Sequence, residues 1–466
     1  MKKKIIMRNI KFPDYVFPSV PAPPQVQELE ERLQCCRNKM IVHGLSHLIV
    51  YGDREHFANL MYLVHFDPRF EEALLIMSVE KLAPLILVGN EGEGHLGVSP
   101  LFQAGKLRCE RFQTFSLMSQ PRDTSRSLET ILREEGITDK SKVGVVGWKY
   151  FISGELKDTQ HASDIPSYLM DILRSLVASA NLTNATDLLI SPEYGMRSFV
   201  SPSEIAFFEY ANVLGSESVK RVLKNLQIGK TDFEVMQSAG YTGFPLSCYM
   251  TIKSSGNQNY GLSSPVGAKL CLGQPCSISI AHWGSNVCRA GWLAADINDL
   301  PTIAKGYISE FVAPYLEALY EWFRNLRIGV TGGSLYQLIE NLLPYDKFNV
   351  YLNPGHLIHL DEWTTSPIYK GSTNKILSGM YIQSDIIPRS PVYGSSRMED
   401  GFIIADQLLR QKLMELYPVV YERCMSRRKF MEELGFELPE EVLPLSNLAG
   451  MVVPFFLQCN CVMSFV

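Results

Sequence analysis

Apolar and polar positions change their period along the chain. His47-Leu-Ile-Val-Tyr51, Glu72–Ser78, Leu85–Val88, Val143–Val146 and Asp187–Ser191 are short apolar runs that predict strands. Arg126–Glu135 and Ile165–Ala178 carry the spacing of helices between them. Such alternation predicts an α/β layer with a mixed or parallel sheet. An extended arm precedes it, because Pro13, Pro18, Pro21, Pro23 and Pro24 crowd residues 12–24. A helix is predicted from about Gln25 to Met40, with Glu28, Glu30 and Glu31 near the end that the helix dipole favours for acids. Gly89–Gly97 is Gly-rich after a strand, but its two Glu would repel phosphate, so it predicts a polar loop.

Residues 192–202 look like a boundary. Ser201 as N-cap, Pro202 at the first position and Glu204 at the third predict a helix start. A second helix, Ser216–Leu226, and strands at Ser247–Lys253 and Cys276–Trp283 are expected next. A helical region spans about Leu300–Leu326, interrupted near Pro314, and Thr331 caps a helix over Leu335–Leu343. Three short alternating stretches then predict strands within 352–363, 378–388 and 396–406. Tyr381, Gln383 and Asp385 share a face, as do Arg397 and Glu399. If these strands are neighbours, one sheet face gathers His356, Asp385, Arg397 and Glu399. Such groups are costly to bury unless they pair, titrate or bind something. His359 points opposite to His356, and Arg427-Arg428-Lys429 predicts a solvated helix face.

A length of 466 residues suggests two domains. The net charge of −5 offers no basic footprint for nucleic acid. No apolar run approaches the roughly 20 residues of a membrane span. The Lys-rich start is followed by too few apolar residues for the roughly 7–15 of a signal peptide. Ala449–Leu457, broken by Pro454, reads as a buried tail. The ten Cys include no CxxC pair, which predicts free thiols in a cytoplasmic protein rather than zinc ligands or disulfides. Neither a nucleic-acid nor a membrane partner is expected.

Gly355-His356, then Gly379-Met380 with Asp385 ahead of Pro388, then Arg397-Met-Glu399-Asp400 resembles the signature of the pita-bread hydrolases. These are methionine aminopeptidase, aminopeptidase P, prolidase and creatinase. The run Tyr51–Leu74 is similar to part of the family's creatinase-type N-terminal domain. The resemblance implies a two-domain α/β protein: a creatinase-like α/β domain over 1–195 and a pita-bread α+β domain with pseudo-two-fold symmetry over 196–466. It also implies a homodimer and a small-molecule or short-peptide ligand. The family's peptidases hold two metal ions with two Asp, one His and two Glu. By resemblance His356 matches the metal His, Asp385 the first Glu and Glu399 the second. With Gly284 and Arg289 as anchors, His282 stands where the first Asp is expected and Asn286 about where the second would be. Two cations held close together need several anionic ligands, so a dinuclear centre is not expected. Other family His positions fall near Ser263 or Ser264, on Leu352 and on Trp363.

Three readings follow. One is a metal-free, creatinase-like hydrolase of a peptide or guanidino-type C–N bond. In it His356 is the base, Glu399 or Asp385 orients it, and Arg397 binds an anionic substrate group. The second is a single Zn, Mn or Fe site of His282, His356, Asp385 and Glu399, with His282 on the strand face of Ile278 and Ile280. The third is a non-catalytic homodimer that binds a ligand or acts as a scaffold. Glu362 and Trp363 are read as lining the substrate cleft. A His282 side chain converging on His356 and Glu399 would favour chemistry; one pointing away would favour binding.

Overall fold

The computed structural model describes residues 3–254 and 263–466. Contacts divide the chain into two compact units, Ala22–Arg197 and Met1–Pro21 with Ser198–Val466. The first strand, β1 (Ile5–Asn9), belongs to the larger unit, where it pairs antiparallel with the last strand of the chain.

The unit Ala22–Arg197 holds a six-stranded sheet. Its strands are β2 (His47–Gly52), β3 (Ala73–Ser78), β4 (Leu85–Val88), β5 (Arg108–Arg111), β6 (Val143–Val146) and β7 (Leu182–Asn184), in the order β5-β4-β3-β2-β6-β7. β2 runs parallel to β6, while β3 is antiparallel to β2 and β4, so the sheet is mixed. The continuous apolar runs are explained by burial on both faces. Leu48 and Val50 pack into one cluster with Leu29 and Leu33 of the helix Val26–Val42. Ile49 and Tyr51 pack into another with Leu132 and Leu169 of the helices Leu128–Glu134 and Ser167–Leu176. Each such aliphatic side chain contributes about 1.5–3 kcal/mol.

Two local expectations fail here. Asp187–Ile190 is helical, not a strand. β7 already forms the sheet edge, and the Asn184 side chain accepts from the Thr186 amide to turn the chain away. Gly89–Gly97 is not a plain loop, because it winds into the helical turn Gly92–His95. The buried Glu71 carboxylate accepts from the Glu91 and Gly92 amides at 3.1 and 2.7 Å and draws the turn in.

The larger unit opens with the helix Pro202–Asn225, started by the expected capping box of Ser201 and Glu204. It is one helix of 24 residues, not two. Gly215 does not break it, because the helix lies close against the strands there, with Val287 3.2 Å from where a Cβ would stand. The following strands are β8 (Thr251–Ser254), β9 (Pro275–Ile280), β10 (Val287–Trp292), β11 (His356–Leu357), β12 (Tyr381–Gln383), β13 (Arg389–Ser390), β14 (Gly394–Ser395), β15 (Arg397–Glu399), β16 (Gly401–Ile404), β17 (Val442–Pro444) and β18 (Cys461–Phe465). Two four-stranded sheets result, β15-β10-β9-β8 and β11-β12-β16-β17. The signature strands therefore do not share one sheet. The chain passes from one sheet to the other at Asp400, whose carboxylate binds Arg289 at 2.7 Å inside the core. Near Pro314 the helical region is divided into a π-helical segment, Tyr307–Val312, and the helix Ala313–Asn325.

Arg427 and Arg428 do not lie on a solvated face. Both are buried. Arg427 bonds Glu209 at 2.6 Å and Asn447 at 2.9 Å, and Arg423 makes two bonds to the same Glu209. The periodicity of the helix Pro418–Glu433 could not reveal an acid buried on another helix. Residues 449–456 are buried, and all ten Cys are free thiols. Among the described residues no helix is long and apolar enough to cross a membrane.

Glu209→Ala would leave two arginines buried without their counter-ion, which costs about 3–5 kcal/mol. Urea unfolding should show the unfolding free energy falling by that amount, through a lower midpoint at unchanged slope. A loss below about 1 kcal/mol would contradict the assigned role.

Candidate functional site

One face of the first sheet carries the polar groups. Antiparallel register sets Ser279 opposite Cys288 and Cys288 opposite Glu399, with Ser277, Ala290 and Arg397 in the next row. Ile278, Arg289 and Met398 face the other way. β9 pairs with β10 only as far as Ile280 opposite Val287, so residues 281–286 make a short turn. Gly284 in this turn has φ +84, and a Cβ there would collide with Phe208. Tyr381 of β12 donates to the Gly284 carbonyl at 2.8 Å. Gln383, two residues on, donates to the Asn286 carbonyl at 2.7 Å. The second sheet thus fixes the hairpin of the first.

Asn286 lies at the centre of the site. Its amide nitrogen donates to Glu399 Oε1 at 2.8 Å and Glu362 Oε1 at 3.1 Å, and its oxygen accepts from Ser279 Oγ at 2.7 Å. Two carboxylate acceptors fix which way the amide points. Arg397 holds the other oxygen of Glu399, through Nε at 2.8 Å and through Nη2. Asp385 Oδ1 lies 3.8 Å from Arg397 Nε. Burial pushes the Glu399 carboxyl up to about 7, with Asp385 adding to the rise and Arg397 and His356 opposing it. Burial likewise raises Asp385 and Glu362.

His356 is fully buried. Its Nδ1 bonds the Leu357 carbonyl at 3.1 Å, so in the neutral ring Nε2 carries the lone pair. Residues 356–365 fold back through the Leu357 pairing with Thr365. That reversal stacks Trp363 on the imidazole, centroids 3.9 Å apart and planes 15° apart. It also sets Glu362 Oε1 3.7 Å from His356 Nε2. The Glu362 side chain keeps 28% of its surface exposed, the opening of an otherwise closed cluster. His359 points away to Glu204, at 3.1 Å.

His356, Asp385, Arg397 and Glu399 thus come together, contributed by two sheets, with Glu362 and Trp363 beside them. His282 does not join them. It lies beyond the end of β9, bridged to Leu246, with its ring stacked on Tyr241 and edge-on to Phe244. The shortened hairpin is the cause: Ser279, not His282, opposes Cys288 and Glu399. The set of His282, His356, Asp385 and Glu399 is therefore not assembled. Among the described residues the only three potential metal-donor groups within 4.8 Å of one another are His356, Glu362 and Glu399. Arg397 gives Nε and Nη2 to Glu399, which leaves Nη1 as the group it could offer to a substrate anion. His356 is held by a backbone carbonyl and Trp363, with Glu362 the nearer carboxylate. Ser279 and Gln383 were legible only as polar positions alternating with apolar ones.

The fold resemblance implies a divalent-metal centre, and the donor set tests it. The unpartnered, buried His356 Nε2 with two carboxylates suits one ion. A second ion does not fit. Ser279 and Asn286 provide a hydroxyl and an amide, and the Asn286 NH₂ points its protons at both Glu.

No known family model and no curated protein matches this chain. Its structure does match solved ones. A prolidase from Thermococcus sibiricus superposes with a TM-score of 0.61 at 13% identity, covering 81% of this chain and 95% of that one. The dipeptidase PepE of Mycobacterium ulcerans gives 0.60 at 16%, covering 82% and 95%. An Escherichia coli aminopeptidase P variant gives 0.55 at 14%, covering 82% and 94%. The fold is the pita-bread fold of these enzymes. At such identity the likeness carries the architecture and leaves the chemistry to the side chains described above.

Burial lowers His282 from 6.5 to about 4. The unfolded chain therefore takes up this proton first as pH falls. The penalty is absent above about 6.5 and grows as pH drops toward 4. Urea unfolding at pH 7.5 and pH 5 should show His282→Gln losing less stability on acidification than the wild type. Equal losses would contradict this burial.

Proposed function

We propose that the protein hydrolyses a C–N bond of a small substrate at the cluster of His356, Glu362 and Glu399. The observation that carries this reading is the approach of three donor groups to within 4.8 Å, among them a His356 Nε2 that makes no hydrogen bond and lies 3.7 Å from Glu362 Oε1.

A proton-transfer group works best when its pKa lies near the working pH. Glu399, at about 7, meets that condition because burial and Asp385 outweigh Arg397. Asn286 and Arg397 fix its two oxygens, so its orientation is set before substrate arrives. Glu362 lies at the opening, where it meets an entering water first. His356 Nε2, held by Leu357 and Trp363, accepts the water proton as the oxygen bonds to carbon. The C–N bond then breaks, and Glu399 in its protonated form delivers a proton to the departing nitrogen. The alternative is one divalent ion: His356, Glu362 and Glu399 would then hold it instead of acting as base and acid, and it would supply Lewis-acid polarisation of the carbon–oxygen or carbon–nitrogen group.

A second reading is a binding or scaffold homodimer that keeps the fold without turnover. It is favoured by the way Asn286 and Arg397 already satisfy Glu399 from within the chain.

Release of amine from Xaa-Pro dipeptides, simple amides and guanidino compounds, assayed with and without added Zn, Mn or Fe, separates the two. Turnover that falls at least about 100-fold in both Glu399→Gln and His356→Ala is expected. No turnover on any of the three classes, or turnover unchanged in both variants, would overturn the hydrolase reading.

A further inference from the structure

β1 pairs with β18 alone, in a two-stranded sheet. Lys4 and Val466 exchange both backbone bonds, at 3.2 and 2.9 Å, and the Ile10 amide reaches the Asn460 carbonyl at 2.9 Å. Inward and outward positions alternate along an antiparallel strand. Ile6 and Arg8 therefore bond toward β18, while Ile5, Met7 and Asn9 turn their amides and carbonyls outward. No other segment of the described residues bonds to that outer edge. β18 is closed on its far side, where Met463 and Phe465 donate to the Val452 and Leu434 carbonyls. The edges at β8, β11 and β15 are closed by Ser263, Thr365 and the Tyr315 hydroxyl. The β1 edge is a row of backbone donors and acceptors left to water, with Met7, Arg8 and Asn9 exposed.

The charge along this edge has one sign. Lys2, Lys3, Lys4, Arg8 and Lys11 all precede the first acid of the chain, Asp14. Lys3 pairs with Glu437 at 2.8 Å, whereas Arg8 donates to the Glu433 backbone carbonyl, a neutral group. Lys4 and Lys11 are exposed, and no carboxylate among the described residues pairs with either. Lysine beside an edge strand keeps copies of a chain apart. A second β1 laid on this edge would bring like charge against like charge. An extended acidic segment would meet opposite charge and a full set of backbone partners together. A nucleic-acid strand offers the charge but no ladder of amides and carbonyls.

We propose that β1 is a docking edge for an acidic, extended segment of another protein, which adds to the β1–β18 sheet as a third strand. Ile5, Met7 and Asn9 supply the backbone bonds, and Lys4, Arg8 and Lys11 select acidic side chains. The edge does not depend on the chemistry of the candidate cleft.

Fluorescence anisotropy of the full chain with blocked peptides about seven residues long, alternating valine with glutamate or with lysine, tests this. The glutamate peptide is expected to bind at least about tenfold tighter than the lysine peptide, and to weaken by a similar factor between about 50 and 500 mM NaCl. N-methylation of every peptide amide keeps the charge and removes the ladder, and should weaken binding at least about tenfold. Met7→Pro removes an outward donor without touching the bonds to β18. It should weaken the glutamate peptide about fivefold or more, with circular dichroism confirming the fold. Lys4→Glu combined with Lys11→Glu, both at exposed positions, serves in its place should Met7→Pro not fold, with a loss of at least about tenfold expected. Equal binding of the lysine peptide, no effect of N-methylation, unchanged affinity in the folded variants, or no binding at all would each overturn the proposal. A dimer in sedimentation that Met7→Pro dissociates would overturn it too, because a second copy would then occupy the edge.

Discussion

The arrangement of the site depends on one side-chain amide. Asn286 sits between Glu362 and Glu399 and donates to both, while its oxygen takes the Ser279 hydroxyl. A neutral NH₂ group there draws two carboxylates together without an added positive charge. Everything around the amide keeps it in place. Gly284 permits the tight turn before it, Tyr381 pins that turn, and Gln383 holds the Asn286 backbone carbonyl. Arg397 then closes the far side of Glu399.

The same amide determines which ligands the site suits. Two bridging carboxylates would neutralise a pair of cations. A hydroxyl and an amide carry no charge to do so, and the amide protons point at the two carboxylates. What remains is an acid-rich and largely buried cluster. The high pKa of Glu399 and the raised values of Asp385 and Glu362 share this origin, because burial penalises charge that one guanidinium only partly balances.

Much of this was legible in the chain. In the sheet of Ala22–Arg197, β2, β3, β4 and β6 are continuous apolar runs, whereas the edge strands β5 (Arg-Cys-Glu-Arg) and β7 (Leu-Thr-Asn) carry no such signal, and the capping box at Ser201 marks the start of the long helix. His356, Asp385, Arg397 and Glu399 could be singled out because period-two alternation put costly groups on strand faces. Sequence alone could not tell that the strands divide between two sheets, since that depends on the Arg289–Asp400 pair inside the core. Nor could it tell that the hairpin is short. Alignment through Gly284 placed His282 in the site, whereas register with β10 places Ser279 there. Glu362 and Trp363 stand out by their position beside His356, but their approach to it arises from a chain reversal that no periodicity encodes. The burial of Arg427 was hidden for a similar reason, because its partner Glu209 lies more than two hundred residues away in the chain.

The proposal that depends most on Ser279 and Asn286 is that the cluster of His356, Glu362 and Glu399 holds at most one ion. Counting metal by mass spectrometry, on protein purified without chelator and then saturated with Mn, Zn or Fe, tests it most directly. The account predicts no more than one ion per chain, absent in His356→Ala. Two ions per chain would contradict it.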